Sequence, residues 1–187
     1  MKINGGSTMT QTRDRNQTSY SKLKILRVII PAQIIILILI PLCVYSVSKY
    51  THNWLRLSNI SLIPYNYLIG GAFILGGYSF IMWSVVSFLK IGKGTPLQTT
   101  PTQKLVINGP FKYTRNPMFL GMTVYLAGLG IVFSCWIWTF GFIPFFLLMG
   151  SLFLKLYEEK ELEERFGHDY TEYKKNTPFL LPKIKRD

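Results

Sequence analysis

The sequence predicts an all-α integral membrane protein with about four transmembrane helices, a C-terminal helical hairpin, and a cytosolic C-terminal helix and tail. Three observations carry this. Four apolar stretches have membrane-spanning length, no acidic residue occurs between Asp14 and Glu158, and the 187-residue chain is 49% hydrophobic but only 16% charged. A hydrocarbon core roughly 30 Å thick is crossed by about 20 apolar residues rising 1.5 Å each. A soluble α/β enzyme needs both charge signs over its surface, and a disordered chain lacks this hydrophobicity, so both classes are excluded.

The spans follow in order. A basic N-terminal segment, residues 1–27, leads into a first span from Val28 to Ser48. That polar lead and apolar run are both longer than the corresponding regions of a cleaved signal peptide, so the span is expected to stay. The second span runs from Pro64 to Leu89, giving a segment of two helices over residues 28–89. The third, Pro117 to Phe133, is the shortest, and the short stretch Ser134 to Thr139 carries the turn into the fourth, Trp136 to Tyr157, so these two form a tight hairpin. Pro41 and Pro144 fall inside the first and fourth spans and should kink them. Ala72 and Gly76 make a small-xxx-small pair for close packing of the second helix, and Gly121 and Gly128 share one face of the third.

Charge orients the bundle. Nineteen of the 21 Lys and Arg residues fall before the first span, between the second and third, or after the fourth, and two fall between the first and second. The positive-inside rule then makes both termini cytoplasmic. The net charge of +12 therefore reports topology; no nucleic-acid partner is expected, because the cations are not clustered with base-stacking aromatics on a soluble face. Cys43 and Cys135 show neither CxxC nor Cys/His spacing, so no metal site is expected either.

Apart from Asp14 and Asp187, every carboxylate lies between Glu158 and Glu172. If the fourth helix continues through YEEKELEERFG to a stop at Gly167, the series Leu154, Glu158, Leu162, Phe166 forms one stripe with Glu158 as its polar member. This predicts Glu158 as an inward or pocket carboxylate and Glu159 as a surface residue, with Lys155 a possible partner of Glu159. Upstream, Asn116 and Pro117 read as N-cap and first residue of the third helix. That helix N-terminus, with Arg115 beside it, also suits an anion, and the hairpin brings it near Glu158. A zwitterionic amino-acid group satisfies both. His52, in the external loop, and His168, in the charged tail, form no catalytic constellation with other residues.

The stretch GKGTPLQTTPTQKLVINGPFKYTRNPMFLG, followed some 40 residues later by EEKELEERFGHDYTEYKKNTPFLLP, resembles the C-terminal core of the isoprenylcysteine carboxyl methyltransferase family, which is related to phospholipid N-methyltransferases. The resemblance covers about residues 90 to 185 and marks 90–187 as a methyltransferase-like core. It implies S-adenosyl-L-methionine bound at the cytosolic face by Gln103, Lys104, Leu105 and Val106, by Phe111, by the Arg-His-Pro-x-Tyr motif and by Glu158. That motif here reads Arg115, Asn116, Pro117, Met118 and Phe119, so Asn and Phe replace its His and Tyr. Arg115, Glu158 and Glu159 are the catalytic candidates. Leu154 stands where the eukaryotic enzymes have the Arg that holds the substrate carboxylate.

The implied activity is methyl transfer to an amphipathic or lipidated acceptor entering from the bilayer, with carboxyl O-methylation first. The alternatives are lipid amine N-methylation and a non-catalytic or reductase-like relative of the fold.

Overall fold

A computed structural model describes residues 27, 30–55, 64–92 and 104–182, and among these the chain is helical with no strand. The expectations for residues 1–26 and for Gln103 lie outside the described residues. Three helices are long and apolar enough to cross a membrane: α1 (Ile30–Leu55), α2 (Tyr65–Gly92) and α4 (Trp138–Phe166). A shorter apolar helix, α3 (Pro117–Val132), precedes α4, and a polar helix, α5 (His168–Asn176), follows it. The four expected apolar helices are thus present, three of them of spanning length, and α1 runs on to Leu55, so His52 belongs to a helix instead of a loop.

The chain divides into two compact units, residues 1–43 and 44–187. The first holds the π-helical turn Ile35–Leu39, in which Ile36 is buried. Pro41 follows that turn, and Pro144 likewise follows the π turn Trp138–Phe142. A proline has no N–H for the carbonyl one turn back, and a wider turn just before it absorbs that mismatch.

The second unit is organised by α2 against α3. Gly70 meets Gly128, and Gly77 meets Gly121, so the helices run antiparallel with their backbones in close approach. A methyl group at Gly77 would sit 2.6 Å from the Gly121 carbonyl oxygen, and one at Gly70 2.8 Å from that of Gly128. Ile81, Tyr125, Leu126 and Leu129 are buried along this seam. Gly121 and Gly128 do share a face as expected. On α2, however, the packing pair is Gly70 and Gly77, not Ala72 and Gly76; Gly76 faces open space. A seven-residue spacing keeps two small residues in register with an antiparallel partner that has the same spacing.

Two buried serines of α2 are satisfied locally. The Ser84 and Ser87 hydroxyls donate to the carbonyls of Phe80 (2.8 Å) and Trp83 (2.9 Å), one turn back. At the hairpin between α3 and α4, Ser134 takes a positive φ of 52°, and the Cys135 N–H donates to Gly130 O at 2.8 Å. Asn66 Nδ2 reaches Ser134 Oγ at 2.6 Å, which ties the start of α2 to this turn.

Candidate functional site

Two local features of α4 and its end shape the polar region. The first is a π turn at Leu154–Glu158, in which the Glu159 N–H bonds to Leu154 O, five residues back. In a regular α-helix Leu154 and Glu158 would share a face; the extra residue in the wide turn gives the inward position to Glu159. Glu159 is 5% exposed, whereas Glu158 is exposed. The predicted assignment of these two glutamates is therefore reversed. The second is Gly167, with φ +54°, which ends α4 as expected, its N–H donating to Glu163 O at 2.8 Å. Only glycine adopts this backbone without strain, and it redirects the chain into α5.

Glu159 is the centre of a charge network. Its Oε1 lies 2.6 Å from Arg115 Nη1, and its Oε2 lies 2.8 Å from Lys174 Nζ, which also reaches Glu163 Oε1 at 2.8 Å. The side chains of Arg115 and Glu159 are 11% and 7% exposed. Arg115 Nε and Nη1 and Glu159 Oε1 are buried without a hydrogen bond, so the Arg115–Glu159 contact is an ion pair whose N–H groups do not point along it. Two buried charges of opposite sign offset much of each other's desolvation cost, and removing either partner exposes the full cost of the other. Tyr170 is buried beside them and hydrogen-bonds to Arg115. Burial first, then the charge of Glu159, pushes its phenol up to about 12, with Arg115 and Lys174 opposing. Lys174 is held above the usual lysine range by hydrogen bonds to Glu159 and then Glu163.

The C-terminal segment is strapped across the start of α3. The Arg115 N–H donates to Pro178 O at 2.9 Å, and the Phe179 carbonyl accepts from Thr114 Oγ1 (3.1 Å) and Asn116 Nδ2 (2.9 Å). Asn116 is thus the residue before the helix, but its side chain makes no cap hydrogen bond. Lys155 lies over the Phe179 ring at 4.9 Å, with the Arg115 guanidinium at 5.7 Å, so Lys155 is engaged there instead of pairing with Glu159.

Beside this network an open cleft of about 710 Å³ lies between the Lys104–Lys112 segment and α5. Lys104, Leu105, Ile107 and Lys112 form one wall, and Phe166, Asp169, Glu172, Tyr173, Asn176 and Thr177 the other. Asp169, Glu172, Tyr173 and Asn176 follow helical spacing on one face of α5, and Tyr170 and Lys174 occupy a second face toward Glu159. The Tyr173 hydroxyl donates to Phe111 O at 2.7 Å, which pins the two walls together.

The sequence-predicted residues divide accordingly. Lys104 and Leu105 line the cleft; Val106 and Phe111 are buried, with the Phe111 ring 4.8 Å from that of Phe88. Arg115, Glu158 and Glu159 are not among the lining residues. Pro117 is fully buried at the start of α3, Met118 is half-buried, and the Phe119 ring packs on Phe146 and against Gly150. Sequence reasoning missed Asp169, Tyr170, Glu172, Tyr173 and Lys174. Their signal was the i, i+3, i+4 spacing after Gly167, which marks a helix with two polar faces.

The fold and site together define an α-helical membrane protein with a cleft bearing both charge signs at one end of its bundle. Residues 65–169 match the family of phospholipid methyltransferases, and the chain belongs to it. The match takes in α2 and the segment resembling the methyltransferase core as far as residue 169. Neither the curated proteins nor the solved structures contain a significant match.

Proposed function

We propose that this membrane methyltransferase uses S-adenosylmethionine, bound in the cleft between the Lys104–Lys112 segment and α5, to methylate the head of an amphipathic lipid. The observation that carries the reading is the cleft itself, in a chain of methyltransferase family: about 710 Å³, with lysines on one wall and carboxylates on the other. That volume falls in the range of small-molecule sites, roughly 300–1,000 Å³. The donor set fits a ligand with a zwitterionic amino-acid end, vicinal hydroxyls and a flat base. Lys104 or Lys112 would hold its carboxylate, Asp169 and Glu172 its ammonium and hydroxyls, and Phe166 and Tyr173 supply aromatic surface.

The bound cofactor supplies a sulfonium-activated methyl group. The protein's own part is to orient donor and nucleophile and to exclude water. Arg115, Glu159 and Lys174 act as the charged frame on which α5 stands. Glu158, turned outward beside the exposed Phe153, Leu156 and Tyr157, suits the cationic head of a lipid acceptor and its released proton.

A specific arrangement favours an amine head over the carboxylate implied by the resemblance. Arg115 and Lys174 are engaged with carboxylates, Lys155 lies over the Phe179 ring, and position 154, one turn before Glu158, is leucine where the resemblance has the substrate-holding Arg. The charge asymmetry of the sequence supports a cytoplasmic position for this end and for both termini.

The test is incubation of the full chain in nanodiscs with labelled S-adenosylmethionine, membrane lipid and prenylated peptide. A base-stable label on lipid is expected. Methanol released from the product in mild base would assign carboxyl methylation instead, and a well-folded protein that binds no cofactor would be the non-catalytic relative.

A further inference from the structure

The buried carboxylate of Glu159 carries two cations from different parts of the chain. Arg115 comes from the start of α3, and Lys174 from α5, beyond the residues that match the family. Lys174 is the one that ties α5 to α4: its ammonium bridges Glu159 and Glu163, which lie one turn apart on that helix, at 2.8 Å each. The bridge joins α4 to a helix only nine residues long, whose other polar face is a wall of the cleft and is tied to Phe111 O by Tyr173. Helices of this length do not hold their conformation unaided. Tyr170, one turn before Lys174 and in hydrogen bond with Arg115, closes the same face.

We propose that Lys174 is a positioning residue: by balancing the charge of Glu159 it sets the rotation of α5 and thereby presents Asp169, Glu172 and Tyr173 to the cleft. Its side chain is not among those lining the cleft, so it acts through α5 and not by contact with the ligand. The link to cofactor affinity rests on the reading of the cleft given above; the control of α5 does not.

Two measurements on the full chain in nanodiscs separate these. Hydrogen exchange of the α5 amides needs no cofactor, and Lys174→Met is expected to speed it roughly tenfold while Lys174→Arg stays near wild type. Glu163→Gln, which removes only the more exposed partner, is expected to change it less than about twofold. Steady-state methylation should show KM for S-adenosylmethionine raised roughly tenfold in Lys174→Met with kcat changed far less, and restored in Lys174→Arg. Unchanged α5 exchange in Lys174→Met overturns the proposal, as does an equal effect of Glu163→Gln. Faster α5 exchange with an unaltered KM overturns the link to the cleft. Faster α5 exchange in a protein whose wild type binds no S-adenosylmethionine supports the positioning role and overturns the cofactor reading instead.

Discussion

The backbone N–H of Glu159 bonds to the carbonyl of Leu154, five residues earlier. That single wide turn decides which of two adjacent glutamates enters the protein. Glu159 is consequently held between Arg115 and Lys174, and Glu158 faces outward. The two are expected to respond very differently to the same substitution. Glu159→Gln leaves Arg115 buried without a counter-charge and should cost about 3 kcal/mol. Glu158→Gln should stay within about 0.5 kcal/mol, since no buried partner is lost. Unfolding midpoints of the two variants in one detergent provide the comparison, and equal midpoints would contradict the π-turn assignment.

The α2–α3 seam gives a second contrast within one helix. A Cβ at Gly77 would lie 2.6 Å from the Gly121 carbonyl oxygen, while one at Gly76 meets nothing within 4 Å. Gly77→Ala must therefore push the two backbones apart, at a cost of about 1–3 kcal/mol. Gly76→Ala is expected to be neutral or to stabilise by about 0.5–1 kcal/mol through helix propensity. Thermal unfolding of both variants distinguishes the two faces.

How much of this was legible in the sequence depends on the length scale of the signal. The spans, the tight hairpin and the stop at Gly167 were readable, because each rests on apolar length or on one residue with special backbone freedom. The meeting of Arg115 with a carboxylate at the end of α4 also follows from the hairpin. Which carboxylate it would be did not, because stripe arguments assume 3.6 residues per turn, and nothing in LKLYE marks the wider turn. The choice of Gly70 and Gly77 over Ala72 and Gly76 was set by the spacing of Gly121 and Gly128 on the partner helix, a tertiary fact. The docking of Phe179 on Thr114 and Asn116 spans more than 60 residues of sequence and has no local signature.

That docking is itself testable. Asn116 Nδ2 and Thr114 Oγ1 both donate to the Phe179 carbonyl, and the ring beyond it lies under Lys155 and Arg115. Asn116→Ala and Phe179→Ala should each lose about 1 kcal/mol, from a hydrogen bond and from ring–cation contact respectively. Phe179→Ala keeps the backbone carbonyl that accepts from Asn116, but both contacts hold one docked segment. The loss of either therefore weakens the other, and their effects should be non-additive by about 0.5 kcal/mol or more in a double-mutant cycle of unfolding free energies. No loss of stability in either single variant would mean that the strap is not formed in solution.

High pH probes the α5 face without any ligand. Tyr170 is pushed from 10.0 up to about 12, first by burial and then by Glu159. Burial also pushes Tyr173 upward, and hydrogen bonds to Glu159 and Glu163 raise Lys174. In each case the folded protein holds its proton more tightly than the unfolded chain does. The stabilisation is therefore fully present below the unfolded pKa values, near 10 for tyrosine and 10.5 for lysine, and is lost as pH rises through the folded ones. Stability should stay flat, as far as these groups are concerned, up to about pH 10 and then fall. Tyr170→Phe removes one of the contributing protons, so the fall should be shallower in that variant and its phenolate absorbance titration should lack a component near 12. Loss of a component near 10 instead would place Tyr170 in solvent, away from Arg115 and Glu159.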